Sequence, residues 1–150
     1  MKKLKLYLDN CCFNRPYDDQ QQIRIHLESL AKLHIQQSIA KETYDFVWSF
    51  VLEYENSKNP FPLRRETIGR FSYRSAQYVD ESEADVIASL AHPVAATGIK
   101  EKDALHVACA IFSSCDYLLT TDDRLLKYTS DEIKIINPLQ FVIEMEGSIQ

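Results

Sequence analysis

Glycine is scarce, with three residues in a chain of 150. Loops that wrap phosphate need glycine at fixed spacing, and neither G-x-x-x-x-G-K-[ST] nor G-x-G-x-x-G occurs, so the usual nucleotide-binding loops are excluded. No apolar run approaches the roughly 20 residues that cross a bilayer, and no membrane role is expected. The N-terminus, Met1-Lys2-Lys3-Leu4-Lys5-Leu6, is basic and then apolar, but the apolar part breaks at Asp9, too early for a signal peptide. It reads as a first strand, and a cytoplasmic setting is expected. The four cysteines, Cys11, Cys12, Cys109 and Cys115, lack C-x-x-C pairing, so buried thiols in a reducing compartment are expected rather than a zinc or redox site. A basic excess is missing too: 17 Lys and Arg stand against 22 Asp and Glu, for a net charge of −5. That argues against passive nucleic-acid binding through overall charge. It leaves room for an acidic pocket whose cations meet a phosphate.

What is present is an alternation of short apolar runs and helical periods. There is no internal repeat, and the length favours a single domain over residues 1–150 with a core that needs no disulfides. Leu4–Leu8 reads as a strand, Asn10–Asp19 as a loop, and Gln21 to about Ala40 as a helix with Ile23, Leu27, Leu30, Ala31 and Ile35 at helical spacing. Tyr44–Ser49 reads as a strand, and Phe50–Asn56 as a helix capped by Ser49. Leu63 to about Tyr78 is expected to be helical. Asp80-x-x-Glu83 looks like a capping box opening a helix to about Ala91. Lys100–Ser113 forms an apolar helix, Asp116–Thr121 a buried strand, Asp122–Lys127 a helix start, Ile133–Ile136 a last strand, and Pro138 to about Glu144 a terminal helix. Strands separated by helices imply parallel pairing, hence a three-layer α/β/α sandwich with about four parallel strands.

In such sheets ligands bind beyond the carboxyl ends of the strands. Asp9 follows the first strand, Ser49 and then Glu53 the second, Asp122 the one near 116–121, and Asn137 the last. Asp103, in the first turn of its helix, could face the same rim. Packed carboxylates raise each other's pKa, and a cluster of them is tolerated when cations occupy it. Oxygen ligation with little Cys or His suits Mg2+ or Mn2+. Such ions lower the pKa of an attacking water and stabilise charge on a phosphodiester, so the expected reaction is metal-assisted in-line hydrolysis.

These segments resemble PIN domains, especially the VapC-like ribonuclease toxins of toxin–antitoxin systems. The pieces are Leu6-Tyr7-Leu8-Asp9, Ser49-Phe50-Val51-Leu52-Glu53, Asp103-Ala104-Leu105-His106-Val107-Ala108 and Leu119-Thr120-Thr121-Asp122, in that order along the chain. The resemblance implies a Mg2+- or Mn2+-dependent endoribonuclease with Asp9, Glu53, Asp103 and Asp122 as metal ligands or water activators. Thr120 would support Asp122 by hydrogen bonding. It also implies RNA as substrate, a homodimer and a cognate antitoxin. The run Asn10-Cys11-Cys12-Phe13-Asn14-Arg15-Pro16 after the first Asp departs from the family's usual hydroxyl residue and suggests a distinct entrance loop.

Some positions have rivals. Glu55 competes with Glu53, and the offset from Ser49 favours Glu53. Asp123 competes with Asp122, and the Thr-x-Asp spacing favours Asp122. Asp103 could merely complement the helix dipole. Asn10, Arg15 and Thr120 are candidates for substrate contact. His106, three residues after Asp103, reads as a packed or supporting histidine. Arg64, Arg65, Arg70 and Arg74 read as a solvated helix face rather than an RNA surface. The competing functions are a PIN-like module that binds RNA or protein without cutting, a receiver-like phosphotransfer domain that lacks its expected lysine here, and a DNA nuclease.

Overall fold

Five short runs form strands: β1 (Lys5–Leu8), β2 (Asp45–Ser49), β3 (Gln77–Val79), β4 (Tyr117–Leu119) and β5 (Lys134–Ile136). The computed structural model describes residues 2–147. All neighbouring strands pair parallel, in the order β3-β2-β1-β4-β5. Parallel neighbours need crossovers, and helices fill them: α1 (Asn10–Asn14), α2 (Ile23–Ala40), α3 (Phe50–Ser57), α4 (Pro62–Phe71), α5 (Ala84–Ala95), α6 (Glu101–Phe112) and α7 (Asp123–Leu126), with α8 (Pro138–Glu146) following the last strand.

The result is an α/β/α sandwich. Side chains alternate across each strand, so one sheet face carries Phe46 and Tyr117. Phe46 stacks on Phe71 of α4 with ring centroids 4.7 Å apart, and Tyr117 meets Phe141 of α8 edge-on at 5.1 Å. Helix α8 in turn lies against α2. The other face carries Tyr7, which meets His106 of α6, and α6 packs with α3 and α5. Central strand residues Leu6, Tyr7, Leu8, Phe46, Val47, Leu118 and Leu119 are fully buried, as expected of a sheet covered on both sides.

Some segments differ from the sequence expectation. The helix expected to reach Tyr78 ends at Phe71, and after a 3-10 turn (Ser72–Arg74) the chain forms β3, a fifth strand at the sheet edge. The Ser72 hydroxyl turns back to the Gly69 carbonyl, a local bond that competes with helix continuation. The Ala76 N–H then reaches the Phe46 carbonyl at 2.9 Å and docks the segment beside β2. The segment after β1, expected to be a loop with room for a short helical turn, holds the short helix α1. At the proposed capping box, Asp80 accepts from the Ser82 N–H at 2.9 Å and caps a 3-10 turn (Glu81–Glu83), so α5 begins only at Ala84.

The strand order positions the site. From β1 the chain goes to β2 and β3 on one side, then returns to β4 and β5 on the other. The crevice at the carboxyl ends of β1 and β4 is therefore the topological switch point, where open α/β sheets bind ligands. Among the described residues, no helix is long and apolar enough to cross a membrane.

Candidate functional site

Asp9 leaves β1 in extended conformation and caps α1. Its Oδ1 accepts from the Cys12 N–H at 3.2 Å and from the Cys11 thiol at 2.9 Å. Its own N–H donates to the Leu119 carbonyl at 3.2 Å, which ties the end of β1 to the end of β4. Only 3% of Asp9 is exposed, and burial holds its carboxyl well above the usual range.

Asp122 follows β4 and caps α7, with Oδ1 accepting from the N–H groups of Arg124 (2.8 Å) and Leu125 (3.2 Å). Its backbone N–H donates to Thr120 Oγ1 at 3.1 Å. Thr120 thus supports Asp122 through the backbone; being fully buried, it cannot touch a substrate as the sequence suggested. Asp103 sits half-buried in the first turn of α6. Its carboxyl is raised, first by burial and then by the charge of Asp122.

These three aspartates line one open pocket of about 330 Å3, together with Asn10, Cys11, Asn14, Asp18, Glu55 and His106. Glu53 is not among them. It is exposed, accepts from the Trp48 indole N–H at 2.8 Å, and lines a separate cavity with Tyr73 and Tyr78. The acidic residue that α3 delivers to the pocket is Glu55, half-buried and bonded to His106 Nε2. The correction has a geometric cause. Two residues along a helix amount to about 200° of rotation, so Glu53 and Glu55 point to nearly opposite sides of α3. The inward face carries Val51 and Leu52, and at about 100° per residue Glu55 falls between them. That phase was the available signal, and the distance from Ser49 was the wrong guide.

The rivalry at β4 resolves differently. Asp123 is gripped by both terminal nitrogens of Arg24, at 3.0 and 2.7 Å, and this hydrogen-bonded guanidinium lowers its pKa. Asp123 is thereby engaged outside the pocket, while Asp122 lines it. Arg15 is engaged as well. Its Nε stands 3.0 Å from Glu28 Oε1, its Nη1 bonds Asp18 Oδ2 at 3.1 Å, and Glu28 is buried and also paired to Arg24. Arg15 buttresses the entrance loop rather than standing free for a phosphate. Asn137 caps α8 through the Leu139 N–H at 2.8 Å and turns its amide to Glu28. Asn10 does line the pocket. In the arginine-rich stretch, Arg70 pairs with Glu66, Arg65 bonds the Asn59 carbonyl, Arg64 lies over the Phe61 ring, and Phe71 belongs to the core.

One pocket residue departs from the reading given to the cysteines. Cys11, read there as a buried small residue, is half-buried and faces the pocket beside Asp9. Cys12 is turned inward, its thiol 3.2 Å from the Leu119 carbonyl. The carboxylate of Asp9 and both thiols lie within 4.8 Å of one another. Neither the models of known protein families nor the curated proteins searched gave a match to this chain.

Proposed function

We propose that the chain is a PIN-like endoribonuclease that depends on Mg2+ or Mn2+ and resembles the VapC-like toxins. The observation that carries the reading is the convergence of Asp9, Glu55, Asp103 and Asp122, from four separate crossovers, on one pocket at the switch point of the sheet. The donor set fits a hard divalent ion: carboxylate oxygens dominate, and burial holds the carboxyls of Asp9 and Asp103 above their usual range, with the charge of Asp122 adding to it at Asp103. When bound, such an ion activates water and neutralises charge developing on a phosphodiester.

The chain's own residues set the frame for that chemistry. The caps of α1 and α7 fix Asp9 and Asp122 through backbone N–H groups, so neither carboxylate must be ordered when substrate arrives. The Arg24–Glu28–Arg15 ion pairs brace the rim from outside. Asn10 lines the pocket and offers its amide N–H for backbone contact with RNA, while the Asn14 amide is bonded to Asn10 and Asn59 and holds the loop. A cytoplasmic setting, where thiols stay reduced, suits four free cysteines, and a homodimer with a cognate antitoxin belongs to the same reading.

The test is cleavage of a defined RNA by purified protein with Mg2+ or Mn2+. Asp9→Asn and Glu55→Gln are expected to lose ~100-fold or more in rate, the size of effect seen when a preorganised charge-stabilising group is removed. Glu53→Gln is expected to stay near wild type. Equal cleavage by wild type and Asp9→Asn overturns the reading. Binding of RNA without cleavage favours a non-catalytic module.

A further inference from the structure

A row of buried polar side chains runs behind Glu55. Tyr7 and Ser49 are fully buried and His106 is 2% exposed, and they come from three elements, β1, β2 and α6. The Leu52 N–H donates to Ser49 Oγ at 3.2 Å. Ser49 Oγ lies 2.7 Å from Tyr7 Oη, which lies 2.6 Å from His106 Nδ1, and His106 Nε2 meets Glu55 Oε1. Buried polar groups cost free energy unless paired. Phe at 7 and Leu at 106 would fill similar space without that demand. The polar row ends on one carboxylate oxygen in the acidic pocket.

We infer that Tyr7 and His106 are positioning residues that hold Oε1 of Glu55 from behind, so that its carboxylate stays aimed into the pocket. The consequence for ion binding rests on the metal-dependent reading above; the geometry does not.

With His106 neutral and Glu55 ionised, the row has one self-consistent direction. An ionised Glu55 accepts from Nε2–H, which leaves His106 Nδ1 as an acceptor. The Tyr7 hydroxyl must then donate to Nδ1, so its oxygen accepts from the Ser49 hydroxyl. Ser49 Oγ in turn accepts from the Leu52 N–H. Each proton is used once. Reversing the Tyr7 hydroxyl would place its proton on Ser49 and turn a bare Nε2 lone pair toward the carboxylate. Glu53, on the same helix but tied to Trp48, has no such row behind it. In metal sites, partners that orient a ligating side chain are commonly worth 10- to 100-fold in affinity.

The experiment uses the full chain as wild type, Tyr7→Phe, His106→Leu and His106→Gln, whose amide nitrogen reaches toward the place of Nε2. Thermal melts establish folding. Long-range 1H–15N spectra read the His106 tautomer, and Mn2+ binding is followed by electron paramagnetic resonance of the free ion. Expected are an Nε2–H tautomer in wild type and a tautomer mixture in Tyr7→Phe. Mn2+ affinity should fall about 10- to 100-fold in His106→Leu, with substantial recovery in His106→Gln. An Nδ1–H tautomer in wild type, or wild-type Mn2+ affinity in folded His106→Leu, overturns the inference. If His106→Leu does not fold, Tyr7→Phe decides it through the tautomer. If wild type binds no Mn2+ while the tautomer and its response to Tyr7→Phe are as expected, the metal-dependent reading falls and the positioning of Glu55 stands.

Discussion

Lys32 of α2 is 5% exposed, and among the described residues no carboxylate pairs with it. Its ammonium donates to Gln36 Oε1 at 2.6 Å and lies 5.3 Å from the Phe13 ring centroid and 6.0 Å from that of Phe71. Burial lowers its pKa from 10.5 to about 8. The folded value lies below the unfolded one, so between those limits the unfolded chain binds more protons and stability rises with pH. Below pH 8 the whole penalty is felt, of order 3 kcal/mol. Lys32→Met is therefore expected to stabilise the protein at pH 7 by about 1–3 kcal/mol, the ring contacts of the ammonium offsetting part of the gain. It should also flatten the rise in stability from pH 8 to 10, measured by urea unfolding at each pH. At this scale the aspartates of the site were legible in the sequence. Asp9 and Asp122 end apolar runs and Asp103 opens a helix, and chain position alone sends them to one rim. Glu55 was not, because the choice between it and Glu53 depends on helix phase against a core that the sequence marks only through Val51 and Leu52. Arg15 could not be placed either, since its partner Glu28 is set by tertiary packing, and Thr120 was placed as a support of Asp122 while its full burial, which rules out substrate contact, was not visible.

Ser49 serves two elements at once. It ends β2, caps α3 by accepting from the Leu52 N–H, and contacts Tyr7 on β1. Ser49→Ala removes a cap typically worth about 1 kcal/mol and leaves the Tyr7 hydroxyl short of one partner. The expected loss is about 2 kcal/mol by chemical denaturation, where an exposed cap would lose only its own share. Elements of useful length were legible here: α2, α3, α6 and α8 follow from apolar spacing and caps, and β1, β2 and β4 from apolar runs. Strand β3 was hidden. Gln77–Val79 is too short for alternation to register, Tyr78 is half exposed, and the segment becomes a strand only through the free edge of β2.

Across the whole molecule, the acidic pocket costs the fold stability. Desolvation and the charge of Asp122 both disfavour ionised Asp103. Asp103→Asn is expected to raise the melting temperature measured without added metal, at about 1 kcal/mol of added stability, and, on the metal-dependent reading proposed above, to weaken the increase expected from Mn2+ binding to the native state. Differential scanning calorimetry with and without Mn2+ checks both signs, and an Asp103→Asn melt below wild type would remove the charge-repulsion argument.

The strand order also fixes a sequence of events during translation. Asp9, Glu55 and Asp103 all precede β4, and the crevice closes only when β4 and Asp122 join β1. A nascent chain that has not yet delivered residue 122 holds three of the four acids around an unfinished sheet. On the nuclease reading proposed above, a polypeptide that stops short of residue 122 lacks one of the four acids and is expected to leave RNA uncut.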